Sequence, residues 1–280
     1  MTARGRFVAR LVTMLIALAG FVTVGALPAA ADKSGTVPYV ALGDSYAAGQ
    51  GGGDYLNNCL ESPNGYPYLL DPKMRIDLRV NAACTGATTS DVISKQLTAA
   101  LDEDTRLVTL TVGAADLGLS RVLTACTHVP PTPVECQFEI GRAADELKNP
   151  RLGGSLINLY GKVRDAAPNA LIVVTGYPYL FEIDPADPAA ALKDQVNDAI
   201  TLLNTTIQQA VAAAAATGIN IVYVDVTAEF AGHGIGSKKP FINADGADAY
   251  HPNAAGYRAY AKAIFAAIRS ARLNDNKQVA

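Results

Sequence analysis

Short apolar runs alternate with helix-type patterns along most of this 280-residue chain. Each run has about the length of a buried strand, and the segments between the runs carry apolar residues at helical spacing. Strands that are separated by helices pair in parallel, with helices covering both faces of the sheet. The alternation therefore predicts an α/β fold built on a five-stranded parallel sheet. The predicted strands are residues 37–42, 78–83, 107–112, 170–175 and 219–224.

Ser45 follows the first predicted strand directly, in the motif Gly43-Asp44-Ser45-Tyr46. Open parallel sheets hold their ligands at the carboxyl ends of the strands, so this serine is a candidate nucleophile. The small, glycine-rich residues 47–53 that follow let other backbone approach it closely. An ordinary turn at a strand end would explain the motif equally well. The catalytic interpretation therefore depends on partners elsewhere in the chain.

A candidate base lies near the C terminus, where residues 248–253 read DAYHPN. A serine hydroxyl is a weak nucleophile until an oriented base accepts its proton. His251 precedes the last predicted helix, and Asp248 is near enough along the chain to accept a hydrogen bond from Nδ1. A structural role is the alternative for a histidine at a helix start. Together with the first motif, this segment predicts a triad of Ser45, His251 and Asp248.

The two motifs, in this order, resemble those of the GDSL or SGNH hydrolase family, and especially its secreted actinobacterial esterases and lipases. The resemblance covers nearly all of residues 32–280 and includes Gly86, which matches the second motif of the family. It implies a three-layer α/β/α, flavodoxin-like fold. It also implies a serine esterase or lipase that hydrolyses carboxylic esters through an acyl-enzyme on Ser45, with His251 as base and Asp248 orienting it. Backbone N–H groups of Ser45 and Gly86 then contribute to the oxyanion hole.

One position departs from the family pattern. The family's third motif is G-x-N-D, and the corresponding residues here are Gly113-Ala114-Ala115-Asp116, so Ala115 replaces the asparagine that donates to the oxyanion. Loss of one oxyanion donor typically lowers the rate by on the order of 10²–10³-fold. A deacetylase or acyltransferase acting on glycan or lipid through the same site is one alternative to the esterase. A weakened, ligand-binding member of the fold is another.

Residues 1–31 have the features of a cleaved export signal. Three arginines precede an almost unbroken apolar stretch, residues 11–27, and a small-residue cleavage site ends at Ala31. A membrane anchor is the alternative, but the apolar stretch is short for a span of about 20 residues. We therefore predict a secreted, extracellular protein whose single hydrolase domain covers residues 32–280.

Four cysteines are present, Cys59, Cys84, Cys126 and Cys136. An even count behind an export signal indicates disulfide bonds. Four cysteines allow three pairings, and we favour Cys59–Cys84 and Cys126–Cys136 because each pair closes a loop-rich stretch. A zinc site is the alternative, but the chain has no C-x-x-C motif and only His128 lies near a cysteine. We therefore predict no metal and no cofactor.

The charge of the chain restricts its partners. The formal net charge is −3, and removal of the signal, with its three arginines and no acid, makes it −6. A mildly acidic chain without a basic cluster argues against nucleic acid as a partner. We expect a monomer that binds a small-molecule or lipid ester, with transient contact to lipid interfaces. The acyl chain length of the ester is left open.

Overall fold

The computed structural model describes residues 35–71, 73, 75–127, 133–148 and 151–278, and for a few helical residues within these ranges only the backbone. Residues from Gly35 onward form one compact unit. The predicted export signal, residues 1–31, lies outside the described residues.

A five-stranded parallel sheet lies at the centre of the described part of the chain. Its strands are β1 (Val37–Gly43), β2 (Ile76–Asn81), β3 (Leu107–Thr111), β4 (Leu171–Thr175) and β5 (Ile221–Val224). They are ordered β2-β1-β3-β4-β5, and every neighbouring pair is parallel. This order belongs to the flavodoxin-like type, in which ligands bind where the strand order reverses, beside β1 and β3. The predicted fold class is confirmed.

Helices cover both faces of this sheet. Helices α7 and α8 pack together on one face beside the segment α3–α4, and α2, α9 and α10 pack on the other. A π-helical segment, Val92–Gln96, joins α3 to α4. None of the helices in the described residues is both long and apolar enough to cross a membrane. The helices are α1 (Ser45–Ala48), α2 (Tyr66–Leu70), α3 (Thr89–Asp91), α4 (Leu97–Ala100), α5 (Leu119–Thr127), α6 (Pro133–Lys148), α7 (Arg151–Ala166), α8 (Ala190–Ala216), α9 (Thr227–Phe230) and α10 (Ala254–Gln278).

Strand β1 positions the candidate site. Residues 39–42 of this strand are buried between the two helical layers, as expected for a central parallel strand. The strand ends at Gly43, whose φ of 132° lies outside the range that other residues favour. A Cβ at this position would collide with the carbonyl oxygen of Thr111 on β3. Glycine therefore lets β1 pass close to β3 and delivers Ser45 to the carboxyl edge of the sheet.

A disulfide joins Cys59 to Cys84, which confirms the first predicted pairing. It connects the loop after α1 to the loop after β2, so both loops are held at the same edge of the sheet. Cys136 is also disulfide-bonded. The side chain of Cys126 lies outside the described residues, so the pairing Cys126–Cys136 stays a prediction.

Candidate active site

Ser45 is the first residue of helix α1, directly after the turn that ends β1. Asp44 caps this helix, because its Oδ1 accepts a hydrogen bond from the backbone N–H of Tyr46 at 3.0 Å. The cap orients the first turn of the helix, and Ser45 is left partly exposed while its neighbours on both sides are buried. The Ser45 side chain therefore faces a cavity at the carboxyl edge of the sheet.

The structure brings Ser45 together with His251, a residue 206 positions away in the chain. Ser45 Oγ lies 2.8 Å from His251 Nε2, which is hydrogen-bonding distance. On the other side of the ring, Nδ1 lies 3.0 Å from the backbone carbonyl oxygen of Ala249. A carbonyl oxygen can only accept, so Nδ1 carries the proton and Nε2 is free to accept one from Ser45.

Asp248 does not orient His251 in the way that the sequence predicted. The expected contact between its carboxylate and Nδ1 is replaced by the Ala249 carbonyl. The chain forms a tight turn here, in which His251 N donates to Asp248 O at 3.1 Å and Tyr250 takes a left-handed φ of 68°. The Asp248 carboxylate is hydrogen-bonded to the Tyr55 hydroxyl instead. Burial is the largest cause, and this hydrogen bond the second, of a rise in the pKa of Tyr55 to about 12.

The charge state of His251 follows from its surroundings. Burial lowers its pKa below the ordinary value of 6.5, because the charged form loses hydration. The hydrogen bond to Ala249 and the negative charge of Asp248 act in the opposite direction and are weaker. The ring is therefore neutral at neutral pH, as a base that accepts a proton must be.

A cavity of about 280 Å³ opens in front of Ser45. Gly86 lies on its wall with a left-handed φ of 73°, a conformation that favours glycine. Ala115 also lines the cavity, so the position of the missing asparagine faces the site. Two further lining residues had no predicted role, Gln50 and Thr85. In the described part of the chain, no group of three His, Cys, Asp or Glu side chains could hold a metal ion.

Asp44 and Tyr177 form a buried link beneath the site. The Tyr177 hydroxyl donates to Asp44 Oδ2 at 2.5 Å and accepts from the backbone N–H of Ala114 at 3.2 Å. Burial raises the pKa of Asp44 to about 7, against the opposing effect of this hydrogen bond. Tyr177 is buried, and it ties the turns after β1, β3 and β4 together.

The acidic residue of the third motif, Asp116, holds the neighbouring loop. The Asp116 carboxylate accepts hydrogen bonds from Thr89, at 3.0 Å from its backbone N–H and at 2.7 Å from its hydroxyl. Thr89 begins α3, three residues after Gly86. Asp116 therefore keeps a structural contact at the site even though Ala115 beside it has no polar side chain.

Comparison with known proteins identifies relatives of this chain. Residues 41–259 match the model of the GDSL-like Lipase/Acylhydrolase family. Lipase 1 of Streptomyces coelicolor is 32% identical over 262 residues, an overlap of 90% of this chain and 94% of that lipase. A lipase of Streptomyces rimosus is 33% identical over 225 residues, 78% of this chain and 81% of the relative.

Two solved structures are similar along most of their length. Phospholipase A1 from Streptomyces albidoflavus NA297 has 33% sequence identity and a TM-score of 0.73. The alignment covers 82% of this chain and 99% of the phospholipase chain. The extracellular lipase from Streptomyces rimosus has 29% identity and a TM-score of 0.75, with the same coverage. The chain belongs to the GDSL-like lipase/acylhydrolase family. Within that family it is a carboxylic ester hydrolase.

Proposed function

We propose that this chain is a secreted serine esterase or lipase that acts through an acyl-enzyme on Ser45. The observation that carries the proposal is the 2.8 Å separation of Ser45 Oγ and His251 Nε2. Oγ attacks the ester carbonyl carbon and passes its proton to Nε2. The bond to the leaving alcohol breaks, and Nε2 gives the proton to that oxygen. Water then attacks the acyl group, its proton passing through Nε2 to Ser45 Oγ, and the acid leaves.

The orientation of the base depends on the backbone in this proposal. The Ala249 carbonyl accepts the Nδ1–H bond and holds the ring with Nε2 toward Ser45. When His251 takes a proton, the ring becomes positively charged. The carbonyl dipole at Nδ1 and the nearby charge of Asp248 both stabilise the charged form. The Ala249 carbonyl can only accept a hydrogen bond, so it fixes the same ring tautomer that the carboxylate fixes in a Ser-His-Asp triad.

The negative charge that attack creates needs donors fixed in advance. We assign this role to the backbone N–H groups of Ser45 and Gly86, two residues that line the cavity. Serine hydrolases can act with two backbone donors, and Ala115 adds none from its side chain. The proposed site is therefore complete for attack and proton transfer, and it has one donor fewer than the family pattern.

Replacement of Ala115 by asparagine is expected to raise kcat for simple esters, by about tenfold or more. Ala115 faces the cavity, so an amide at this position adds the donor whose loss usually costs on the order of 10²–10³-fold. Steady-state kinetics on p-nitrophenyl butyrate measure the effect. Ala125→Asn is the control, because Ala125 lies on α5 outside the cavity wall. An unchanged or lower kcat for Ala115→Asn would mean that another group already fills this position.

The pH profile of kcat/KM is expected to fall on the acid side with a midpoint below pH 6.5. Only neutral His251 can accept the proton of Ser45, and burial lowers the pKa at which this ring becomes charged. Because the pKa is lowered, the base stays active to a more acidic pH than a free histidine would. Initial rates between about pH 4 and 9, with enzyme stability checked at each pH, measure the midpoint. A midpoint above 6.5 would contradict the assignment.

Apolar surface near the site supports a lipid ester as substrate. Leu119 and Leu123 line the cavity beside Ala115 and offer contact to an acyl chain. On the adjacent helix α6, Val134 and Phe138 are 81% and 67% exposed. Helix α6 packs against α5, which carries Leu119 and Leu123, and exposed large apolar side chains of this kind favour contact with a lipid interface. The similar phospholipase A1 and lipases support the same substrate class.

An acyl-length series tests the proposal directly. Turnover of p-nitrophenyl esters from acetate to palmitate, measured in solution and in emulsion, separates an esterase from a lipase. Covalent labelling by a fluorophosphonate tests the nucleophile without turnover. Product analysis with added alcohols detects transfer to an acceptor other than water. The absence of both ester turnover and labelling would refute the proposal.

Export of the chain is part of the same proposal. Residues 1–31 combine arginines, an apolar stretch and a small-residue site that ends at Ala31. The disulfide Cys59–Cys84 suits an oxidising environment outside the cell. The similar lipase of Streptomyces rimosus is described as extracellular.

A further inference from the structure

Gln50 is a buried amide in the wall of the candidate active site. It follows α1 by two residues and is only 6% exposed. Buried amide atoms are costly unless they are hydrogen-bonded, so the partners of this side chain indicate what it holds in place. No step of the proposed mechanism uses Gln50, and the sequence alone predicted no role for its side chain.

Gln50 is hydrogen-bonded to four separate segments. Its backbone N–H donates to Ser45 O at 3.0 Å, and its carbonyl accepts from the Tyr257 hydroxyl at 2.6 Å. The side-chain Oε1 accepts from the Thr85 hydroxyl at 2.7 Å, and Nε2 donates to the carbonyl of Ala247 at 3.3 Å. The Ala247 carbonyl can only accept, which defines the orientation of the amide. The side chain thus bridges two loops, while its backbone is anchored to α1 and α10.

The two bridged loops carry the proposed catalytic groups. Thr85 directly precedes Gly86, and Ala247 lies in the loop that leads to His251. The first loop is held on its other side near the disulfide, because Thr85 N donates to Cys59 O at 3.2 Å. The Gln50 amide therefore connects the loop that contains Gly86 to the loop that contains His251.

We propose that Gln50 is a positioning residue, whose side-chain amide sets the placement of the Gly86 N–H and of His251 around Ser45. The inference rests on the proposed function, because it takes these groups as the working site. A displacement of about 1 Å at a catalytic group can cost on the order of 10²-fold in rate. Gln50 touches no reacting atom in this role and acts through Thr85 and Ala247.

A double-mutant cycle tests the proposal. Gln50→Met keeps the length of the side chain and removes both hydrogen bonds, and Thr85→Val removes only the one to Thr85. We expect Gln50→Met to lower kcat by about 10- to 100-fold and Thr85→Val by about three- to tenfold, with little change in KM. The double variant should be no slower than Gln50→Met alone, because residues that share one interaction are not additive.

A structural role would give a different result. Thr105→Val is the matched control, because Thr105 is also buried and hydrogen-bonded, to Asp102, but lies outside the cavity. Thermal unfolding of each variant separates loss of folded protein from loss of rate. Additive effects in the cycle, or kcat losses that vanish after correction for the folded fraction, would overturn the positioning role.

The same experiments distinguish failure of the positioning role from failure of the proposed function. If the wild-type chain is labelled by a fluorophosphonate at Ser45 and hydrolyses esters, while Gln50→Met retains full kcat, the positioning role alone is wrong. If the wild-type chain shows neither reaction, the proposed function fails and the positioning role fails with it. Labelling rates at Ser45, measured for Gln50→Met and Thr85→Val, give a second readout that does not depend on deacylation.

Discussion

Replacement of Ser45 by alanine is expected to lower kcat for p-nitrophenyl esters by on the order of 10⁴–10⁶-fold. The change removes the oxygen that forms the acyl-enzyme, and His251 then has no hydroxyl to deprotonate. Water could still be activated by the ring, but without an oriented nucleophile the remaining rate comes from binding and the oxyanion donors. Steady-state kinetics and the intact mass after fluorophosphonate treatment measure the two consequences.

The fold is expected to survive this change, so the loss of rate reports chemistry. In the part of the chain that the structure describes, the Ser45 side chain is hydrogen-bonded to His251, and the helix cap is made by Asp44. Ser94→Ala is the matched control, because Ser94 is exposed and its hydroxyl bonds only within its own helical segment. The control should keep full activity and full labelling. More than about a hundredth of the wild-type kcat in Ser45→Ala would contradict the assignment of the nucleophile.

The variants His251→Ala and Asp248→Asn are expected to have very different effects on kcat. His251→Ala should lower kcat by on the order of 10⁴-fold or more, because it removes the base. Asp248→Asn should retain at least about a tenth of the activity. Where a carboxylate orients the base directly, the same substitution costs about 10⁴-fold. Here the Nδ1–H bond goes to the backbone of Ala249, and a side-chain substitution leaves that carbonyl in place.

The pH profile of kcat/KM gives a second readout for Asp248→Asn. The negative charge of Asp248 raises the pKa of His251, so its removal lowers that pKa. A base with a lower pKa stays neutral at lower pH, and the acid side of the profile should move to lower pH in Asp248→Asn. If the profile stays where it was, the titrating group is another one, and Asp44, with its pKa of about 7, becomes the candidate. A 10⁴-fold loss in Asp248→Asn would restore the predicted triad.

Much of the fold could be predicted because its signals are local. The apolar runs of strands and the helical spacing between them repeat along the chain, and each is visible within a window of a few residues. Strand β2 begins two residues earlier than predicted, at Ile76, and the other strands lie within two residues of their predicted ends. The parallel arrangement then follows from the alternation, because crossover helices must lie between successive parallel strands.

The candidate site could be predicted only in part. Ser45 and His251 each sit in a recognisable motif at the end of an element, and both are found beside the same cavity. Asp248 was expected to orient the ring because it is three residues away in the chain. That spacing forms a tight turn in which its backbone bonds His251, while its carboxylate faces Tyr55. Proximity along the chain was a poor guide to which oxygen meets Nδ1.

The sequence by itself determined the fold class, the family and the two motifs that meet at the sheet edge, because these depend on local periodicity and on residue types at fixed spacing. Only the tertiary structure decided which atom orients His251 and what surrounds Ser45. The Ala249 carbonyl replaces a carboxylate, and Gln50 bridges residues that lie 35 and 197 positions away. Each of these contacts is a hydrogen bond that contributes only about 1 kcal/mol. Such contacts are set by how distant loops pack together, and no local pattern specifies that packing.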